Sequence, residues 1–240
     1  MKTLFNKLLF SLLFLVIGCT LSNSKSNRIL TWQSYFKPCI YVIGKDTLYY
    51  QIHLPKRYER HPAERFPLLV FLHGADERGN DNQKQMTFVQ KFFSPVYTDQ
   101  FESIIIVPQC PKGKRWVEVD WKLDSSVSPA QASVPMQLLK SLIFDSVCNY
   151  YKVEMTRMYV TGLSMGGFGT WDIICRFPGL FAAALPVCGG GDKEFIRRIR
   201  KTQIWAFHGL KDRLIKPKRT LELVNQLEKL KYPIKLTTFP

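Results

Sequence analysis

Gly162-Leu163-Ser164-Met165-Gly166 places a serine between two glycines, directly after the β-prone run Met158-Tyr159-Val160-Thr161 and before a helix-compatible stretch from Phe168 to Cys175. A serine at a sharp strand-to-helix turn is how many acyl-transfer enzymes present a nucleophile. Glycines beside it let the backbone hold a strained angle, and Gly166 with Gly167 lets the helix pack close to a neighbouring strand. With Gly and Ser each near about 7% of residues, chance alone would give the pattern roughly 0.1 times in a chain of this length. Other residues must therefore carry part of the argument.

Acyl transfer also needs fixed N–H donors for the developing oxyanion, each worth roughly 3 kcal/mol of barrier, and a base held in register by an acid. After the apolar run Phe66–Leu72 comes His73-Gly74-Ala75-Asp76-Glu77-Arg78-Gly79, whose position suits an oxyanion loop. The natural donor pair is the N–H of Met165, following the nucleophile, and that of Ala75. His73 reads as a hydrogen-bonding brace for this loop, and Asp76, Glu77 and Arg78 as a local ion-pair brace. After the run 203–207 comes His208-Gly209-Leu210-Lys211-Asp212, which supplies a carboxylate in the correct chain order. Asp212 is the expected orienter of a catalytic histidine, with Asp172 and Asp192 as competitors and a turn-capping role as its structural alternative. Trp116 and Trp121, in a long segment after the second buried strand, either line a substrate cleft or anchor that segment to the core.

These groups need a scaffold, and the pattern predicts an α/β fold: a mostly parallel sheet with helices on both faces and an antiparallel N-terminal hairpin. Tyr41-Val42-Ile43 and 48–54 flank Gly44-Lys45-Asp46 as the hairpin. Strands are expected at 66–72, 103–107, 157–162, 181–187, 203–207 and 234–239, and helices at 134–151, 167–176 and 217–231. Leu68-Leu69-Val70-Phe71-Leu72 and Ile104-Ile105-Ile106-Val107 are apolar without alternation, as parallel strands covered on both faces require. In such sheets functional groups gather at the carboxyl ends of the strands.

The chain of 240 residues suits one such domain, at 38–240. Residues 1–18 read as an export signal, with a charged start and an apolar stretch too short to span a bilayer. Val16-Ile17-Gly18-Cys19 resembles a bacterial lipobox, in which Cys19 is lipidated, and 19–37 reads as a polar tether. The expectation is an exported lipoprotein at the periplasm, outer membrane or cell surface, held to the membrane by its lipid. The other five cysteines form an odd set without metal-ligand spacing, so no disulfide framework and no metal site is read from them. Cys148, Cys175 and Cys188 lie in apolar stretches and read as small buried hydrophobes, while a pairing of Cys39 stays open. The net charge of +15 is spread over element ends such as 197–201 and 211–219. No nucleic-acid module accompanies it, which leaves a basic solvated face with affinity for anionic glycans or headgroups.

Taken in order, Phe71 to Gly79, Pro108-Gln109, Gly162 to Gly167, Trp171-Asp172, and Ala206-Phe207-His208-Gly209 before Asp212 resemble the α/β-hydrolase superfamily. Within it they are most similar to secreted esterases of the dienelactone hydrolase, feruloyl esterase and predicted-peptidase group, from about residue 38 onward. The resemblance implies Ser164 as nucleophile, Asp212 as triad acid, Ala75 and Met165 as oxyanion donors, and no cofactor. Asp76 departs from the small residue that relatives often carry.

The same resemblance requires a histidine in a loop after the last strand. The chain has only His53, His61, His73 and His208, and Pro240 follows the run 234–239. His208 belongs to the loop architecture of the family, so the triad is incomplete in these residues. They look C-terminally truncated, without the histidine loop and closing helix, and little turnover is expected of them alone. The expected function is a serine carboxylic-ester hydrolase for small esters or glycan esters, including acyl or feruloyl esters of polysaccharides. The alternatives are a serine peptidase of the same fold and a noncatalytic glycan-binding surface lipoprotein. Metabolic labelling with palmitate tests the address: the natural protein should incorporate label and Cys19→Ala should not, whereas labelling of the variant would remove the lipobox reading.

Overall fold

The computed structural model describes residues 32–89 and 100–240. The export signal and Cys19 lie outside the described residues. Strands β1 (Lys37–Ile43) and β2 (Asp46–His53) form the antiparallel hairpin, with Gly44 at φ 58° in its turn. β3 (Phe66–Leu72), β4 (Ile104–Gln109), β5 (Val153–Leu163), β6 (Ala183–Val187), β7 (Gln203–Gly209) and β8 (Ile234–Phe239) complete one eight-stranded sheet in the order β1-β2-β4-β3-β5-β6-β7-β8. β2 pairs with β4 antiparallel, and every pairing from β4 through β8 is parallel. The chain leaves β3 for β4 on one side and returns to β5 on the other. That reversal opens a crevice at the carboxyl ends of β3 and β5, the place where ligands bind in open α/β sheets.

Alternate residues of the central strands serve opposite faces. Leu68, Val70, Leu72, Ile104, Ile106, Ile204 and Ala206 join the main core with Met136, Ile173, Ile174 and Leu223. These last come from helices α2 (Val134–Ser141), α4 (Met165–Arg176) and α5 (Lys218–Lys229). Leu69, Phe71, Ile105 and Val107 instead pack with Phe36, Met86 and Val89, the last two from the short helix α1 (Met86–Val89). Farther along, Leu185 and Phe207 form a separate small cluster with Val187 and Trp205.

Three of the differences from the sequence expectation have a visible physical cause. Trp32–Ser34 forms a 3-10 turn and Phe36 is buried, so ordered packing reaches upstream of residue 38. β5 starts at Val153, because Val153 pairs with Phe66 before a register shift, and the polar residues Glu154 and Thr156 hide that start from a hydrophobic pattern. The helix expected over 134–151 is interrupted. α2 is capped by the Ser133 hydroxyl, which accepts the Met136 N–H at 3.2 Å, and the backbone then widens into a π-helical stretch, Leu142–Val147, before α3 (Cys148–Tyr150). The wider turn brings Leu142 and Val147, five residues apart, onto one buried face.

Behind the sheet crevice, α4 is tied to the long segment after β4. Arg176 Nε lies 2.6 Å from Asp172 Oδ2, and its other nitrogens donate to the carbonyls of Pro129 and Ala130. Burial pushes the Asp172 carboxyl up while Arg176 pulls it down. Removing the cation leaves a buried carboxylate unpaired, which typically costs about 3 kcal/mol or more. Arg176→Met should therefore lower the urea midpoint substantially, and an unchanged midpoint would show that the pair is not held as ions.

Candidate active site

Ser164 follows β5 directly, with φ 55° and ψ −115°. A non-glycine residue held there stores about 1 to 3 kcal/mol of strain, which persists only where the surroundings over-determine it. Here they do. The Ser164 N–H donates to Val187 O at 2.9 Å, tying the turn to β6, and the Phe168 N–H donates to Ser164 O at 3.0 Å, starting α4. A Cβ on Gly166 would lie 1.9 Å from the Leu72 carbonyl oxygen, and one on Gly162 would lie 2.4 Å from Gly166 O. The glycines flanking the serine are thus places where backbone touches backbone, as expected from their spacing. Ser164 itself is half-buried and faces the crevice loops.

The loop after β3 lies against this turn: a Cβ on Gly74 would come 3.9 Å from the Ser164 Cβ. His73 is fully buried and fixes the loop with both ring nitrogens. Nδ1 is 2.6 Å from Gly74 O, and Nε2 accepts the Cys110 N–H at 2.9 Å. That pattern is one neutral tautomer, with the proton on Nδ1. The Gly74 carbonyl it bonds belongs to the peptide unit whose N–H is Ala75's, so the brace orients a donor expected to face the oxyanion. The ion-pair brace expected of Asp76, Glu77 and Arg78 is replaced by bonds to backbone: Arg78 Nε donates to Ala75 O at 2.7 Å and Nη1 to Lys114 O at 3.3 Å. Glu77 is buried instead of paired, and burial pushes its carboxyl up.

Two residues outside the expected set hold the far side of the loop. Gln109, fully buried at the end of β4, accepts the Asn82 N–H at 2.7 Å and donates to Glu77 O and Asp81 Oδ1. Asn82, at φ 54°, donates to Tyr50 O and Cys39 O. The Pro108-Gln109 pair was the available signal for the first; nothing in the local sequence marks the second.

Trp116 does not line a cleft. It is fully buried, its indole N–H donates to His73 O at 3.2 Å, and its ring meets His73 edge-on, so it anchors the segment after β4 beneath the loop that follows β3. Trp121 is half-buried under the Arg115 guanidinium, 4.6 Å from the ring centroid. A small hollow lined by Phe168, Trp171, Asp172, Gly190 and Leu223 lies behind α4, and Ser164 is not among its lining residues.

Asp212 sits in the turn after β7, two strands from Ser164 across β6, about 10 Å of sheet. Its Oδ1 accepts the N–H groups of Leu214 and Ile215, each at 2.9 Å, so the turn-capping role is real. Its Oδ2 lies 3.7 Å from His208 Nε2, and the Cys188 sulfur lies within 4.8 Å of both groups. The competitors are committed elsewhere, Asp172 to Arg176 and Asp192 to the N–H groups of Ser128, Glu194 and Phe195. Cys188 is not a fully buried core residue, although burial pushes its thiol up. At φ 48° just beyond β6, it is half-buried beside Asp212, which no local pattern announced. All five cysteines of the described residues are free.

None of the four histidines is poised as a base for Ser164. His53 Nδ1 lies 2.8 Å from Tyr35 O at the hairpin, and His61 precedes β3 at the opposite end of the sheet. His73 braces the loop, and His208 is buried with Nδ1 2.7 Å from Thr220 Oγ1 and Nε2 2.8 Å from Ile215 O.

Burial, the largest cause, pushes the His73 pKa down to about 4. An unfolded histidine titrates near about 6.5. The stability from keeping this ring neutral is therefore complete above about pH 6.5 and is lost as the pH falls through about 4, a total of about 3 kcal/mol. The urea midpoint should fall across that window, and less steeply in His73→Gln. An equally steep fall in the variant would remove His73 as the cause.

Comparison with known proteins bears on this arrangement. No curated protein matches the chain in sequence. The family model described as "Putative esterase" matches residues 44–189, which include the Ala75 loop and Ser164 and stop short of Asp212. A crystal structure of a thermostable esterase is 32% identical over 85% of this chain, with a TM-score of 0.76, and the chain spans 54% of that protein's length. A ferulic acid esterase of the anaerobic fungus Anaeromyces mucronatus is 14% identical, with 92% of this chain and 88% of that one covered and a TM-score of 0.65. An acylaminoacyl peptidase of Pyrococcus horikoshii is also 14% identical, with 92% and 39% covered and a TM-score of 0.62. These last two share the fold alone. The strand order, the strained serine turn and the family match agree, and the chain belongs to the esterase family of the α/β-hydrolase fold.

Proposed function

We propose that the chain carries the nucleophile, oxyanion hole and acid of a serine carboxylic-ester hydrolase. Ser164 Oγ attacks the acyl carbon of an ester while an imidazole takes its proton. The N–H groups of Met165 and Ala75 receive the developing oxyanion. Collapse of the tetrahedral intermediate releases the alcohol with that proton, and water then frees the acid from Ser164 by the reverse sequence. Asp212 orients the imidazole through Oδ2. The observation that carries this reading is the strained Ser164 turn set against the braced Gly74-Ala75 loop at the crevice between β3 and β5.

The base is the part these residues do not supply, since each of the four histidines is engaged elsewhere in the fold. A histidine from further sequence of the same gene product would complete the triad. Without it, oxyanion stabilisation and binding leave roughly 10³ to 10⁴ over the uncatalysed rate. We assign the substrate class as acyl or hydroxycinnamoyl esters of polysaccharide fragments met outside the cell by a lipid-anchored enzyme. Support comes from the family, from the lipobox-like Val16 to Cys19, and from a basic balance of +15 suited to anionic glycans.

Added imidazole should raise hydrolysis of nitrophenyl or feruloyl esters by the 240-residue chain severalfold above imidazole alone, and Ser164→Ala should abolish the increment. An increment that survives Ser164→Ala would overturn the assignment. With the histidine-bearing product, labelling by a fluorophosphonate probe at Ser164 is expected. A folded protein that stays unlabelled would instead be a noncatalytic binding protein, and cleavage of peptide amides in place of esters would make it a peptidase.

A further inference from the structure

Among the described residues, Cys188, His208 and Asp212 bring three metal-ligating atoms within 4.8 Å of one another. The fold builds this cluster from the residue after β6, the end of β7 and the turn beyond it. The Cys188 N–H donates to Phe207 O at 2.8 Å, which swings the residue after β6 toward β7, and the Asp212 N–H donates to Gly209 O at 3.1 Å, which folds the next turn back over it. Leu214 and Ile215 hold Asp212 Oδ1, so Oδ2 is the oxygen left to face the cluster.

The histidine is held at both ring nitrogens. His208 Nδ1 lies 2.7 Å from Thr220 Oγ1, and the Thr220 hydroxyl donates to Gly189 O at 2.9 Å. With the hydroxyl proton on Gly189, Nδ1–H donates to Thr220 and Nε2 is left as an acceptor; with that proton turned to Nδ1, Nε2–H is the donor instead. Nε2 also lies 2.8 Å from the Ile215 carbonyl oxygen. Without a cation, the neutral ring satisfies both contacts by donating Nε2–H to Ile215 O and accepting the Thr220 hydroxyl at Nδ1; a cation on Nε2 requires the other tautomer, whose Nδ1–H Thr220 can receive. Cys188 Sγ and a carboxylate oxygen of Asp212 lie near this ring, with Ile215 O beside Nε2.

We propose that Cys188, His208 and Asp212 form a binding site for a thiophilic divalent cation of the zinc class, with Ile215 O available as a fourth ligand. One thiolate, one imidazole and one carboxylate suit Zn²⁺ better than Mg²⁺ or Ca²⁺, which take oxygen ligands. Bonds of about 2.0 to 2.3 Å require the three side chains to draw together by about 1 Å, and the Cys188 thiol gives up its proton on ligation. A bound cation would occupy Asp212 Oδ2, the oxygen that orients the triad imidazole. This consequence, unlike the site itself, rests on the proposed function. Zinc would thus switch the esterase off at its acid.

Co²⁺ titration of the 240-residue chain tests the site without any turnover. A sulfur-to-cobalt charge-transfer band should appear, persist in Cys148→Ser and vanish in Cys188→Ser, and affinity should fall at least tenfold in Asp212→Asn. No such band in the natural chain, or the same band in Cys188→Ser, would overturn the site. Maleimide labelling of Cys188 in the natural chain gives a second reading that no folding defect can confuse: Zn²⁺ should protect it, and full labelling in Zn²⁺ would also overturn the site. Zinc inhibition of the histidine-bearing product tests the link to catalysis separately, because a metal site that binds Co²⁺ and leaves activity unchanged removes only the role of Asp212.

Discussion

The arrangement depends on one close approach of backbone to backbone. The carbonyl of Leu72, at the end of β3, lies where a Cβ on Gly166 would have to be, and Gly166 O lies where one on Gly162 would be. That contact presses the start of α4 onto the sheet and leaves Ser164 no relaxed alternative to φ 55°. The strain at the serine is therefore maintained by the packing of β3, β5 and β6 around it, and the position of Ser164 is a property of the sheet more than of the turn.

A second layer of order comes from buried polar groups. His73, Gln109 and Asn82 each satisfy carbonyls or N–H groups from different strands, and Trp116 closes the network from below. Such groups are costly to bury and gain only when every partner is in place. They hold a glycine-containing loop rigid beside Ser164, as an oxyanion hole requires, since its donors must be fixed before charge develops. The neutral state of His73 belongs to the same economy: a buried ring that accepts one N–H and donates to one carbonyl has no room for a second proton.

Near Asp212 the logic differs. The acid caps its own turn with one oxygen and offers the other to whatever stands beyond β6 and β7. In this structure Cys188 and His208 are its neighbours there. One carboxylate oxygen can serve an imidazole or a metal at a given moment, so the proposed catalytic role and the proposed metal site compete for it.

Much of this was legible in the residues. The strand runs, the serine between glycines, the loop after β3 and the carboxylate after β7 follow from local pattern, because apolar runs and glycine spacing report the burial and backbone angles of their own neighbourhood. Pairing partners carry no such local mark. That Asn82 reaches the hairpin, that Trp116 anchors beneath His73 instead of lining a cleft, and that Arg78 reaches the carbonyl of Lys114 were decided by residues some 30 to 40 positions away. Cys188 shows the limit most clearly. By itself it is a cysteine at the end of an apolar run, and only the parallel pairing of β6 with β7 sets its sulfur beside His208 and Asp212, since contacts between strand ends are fixed by sheet order and register, which no single segment encodes.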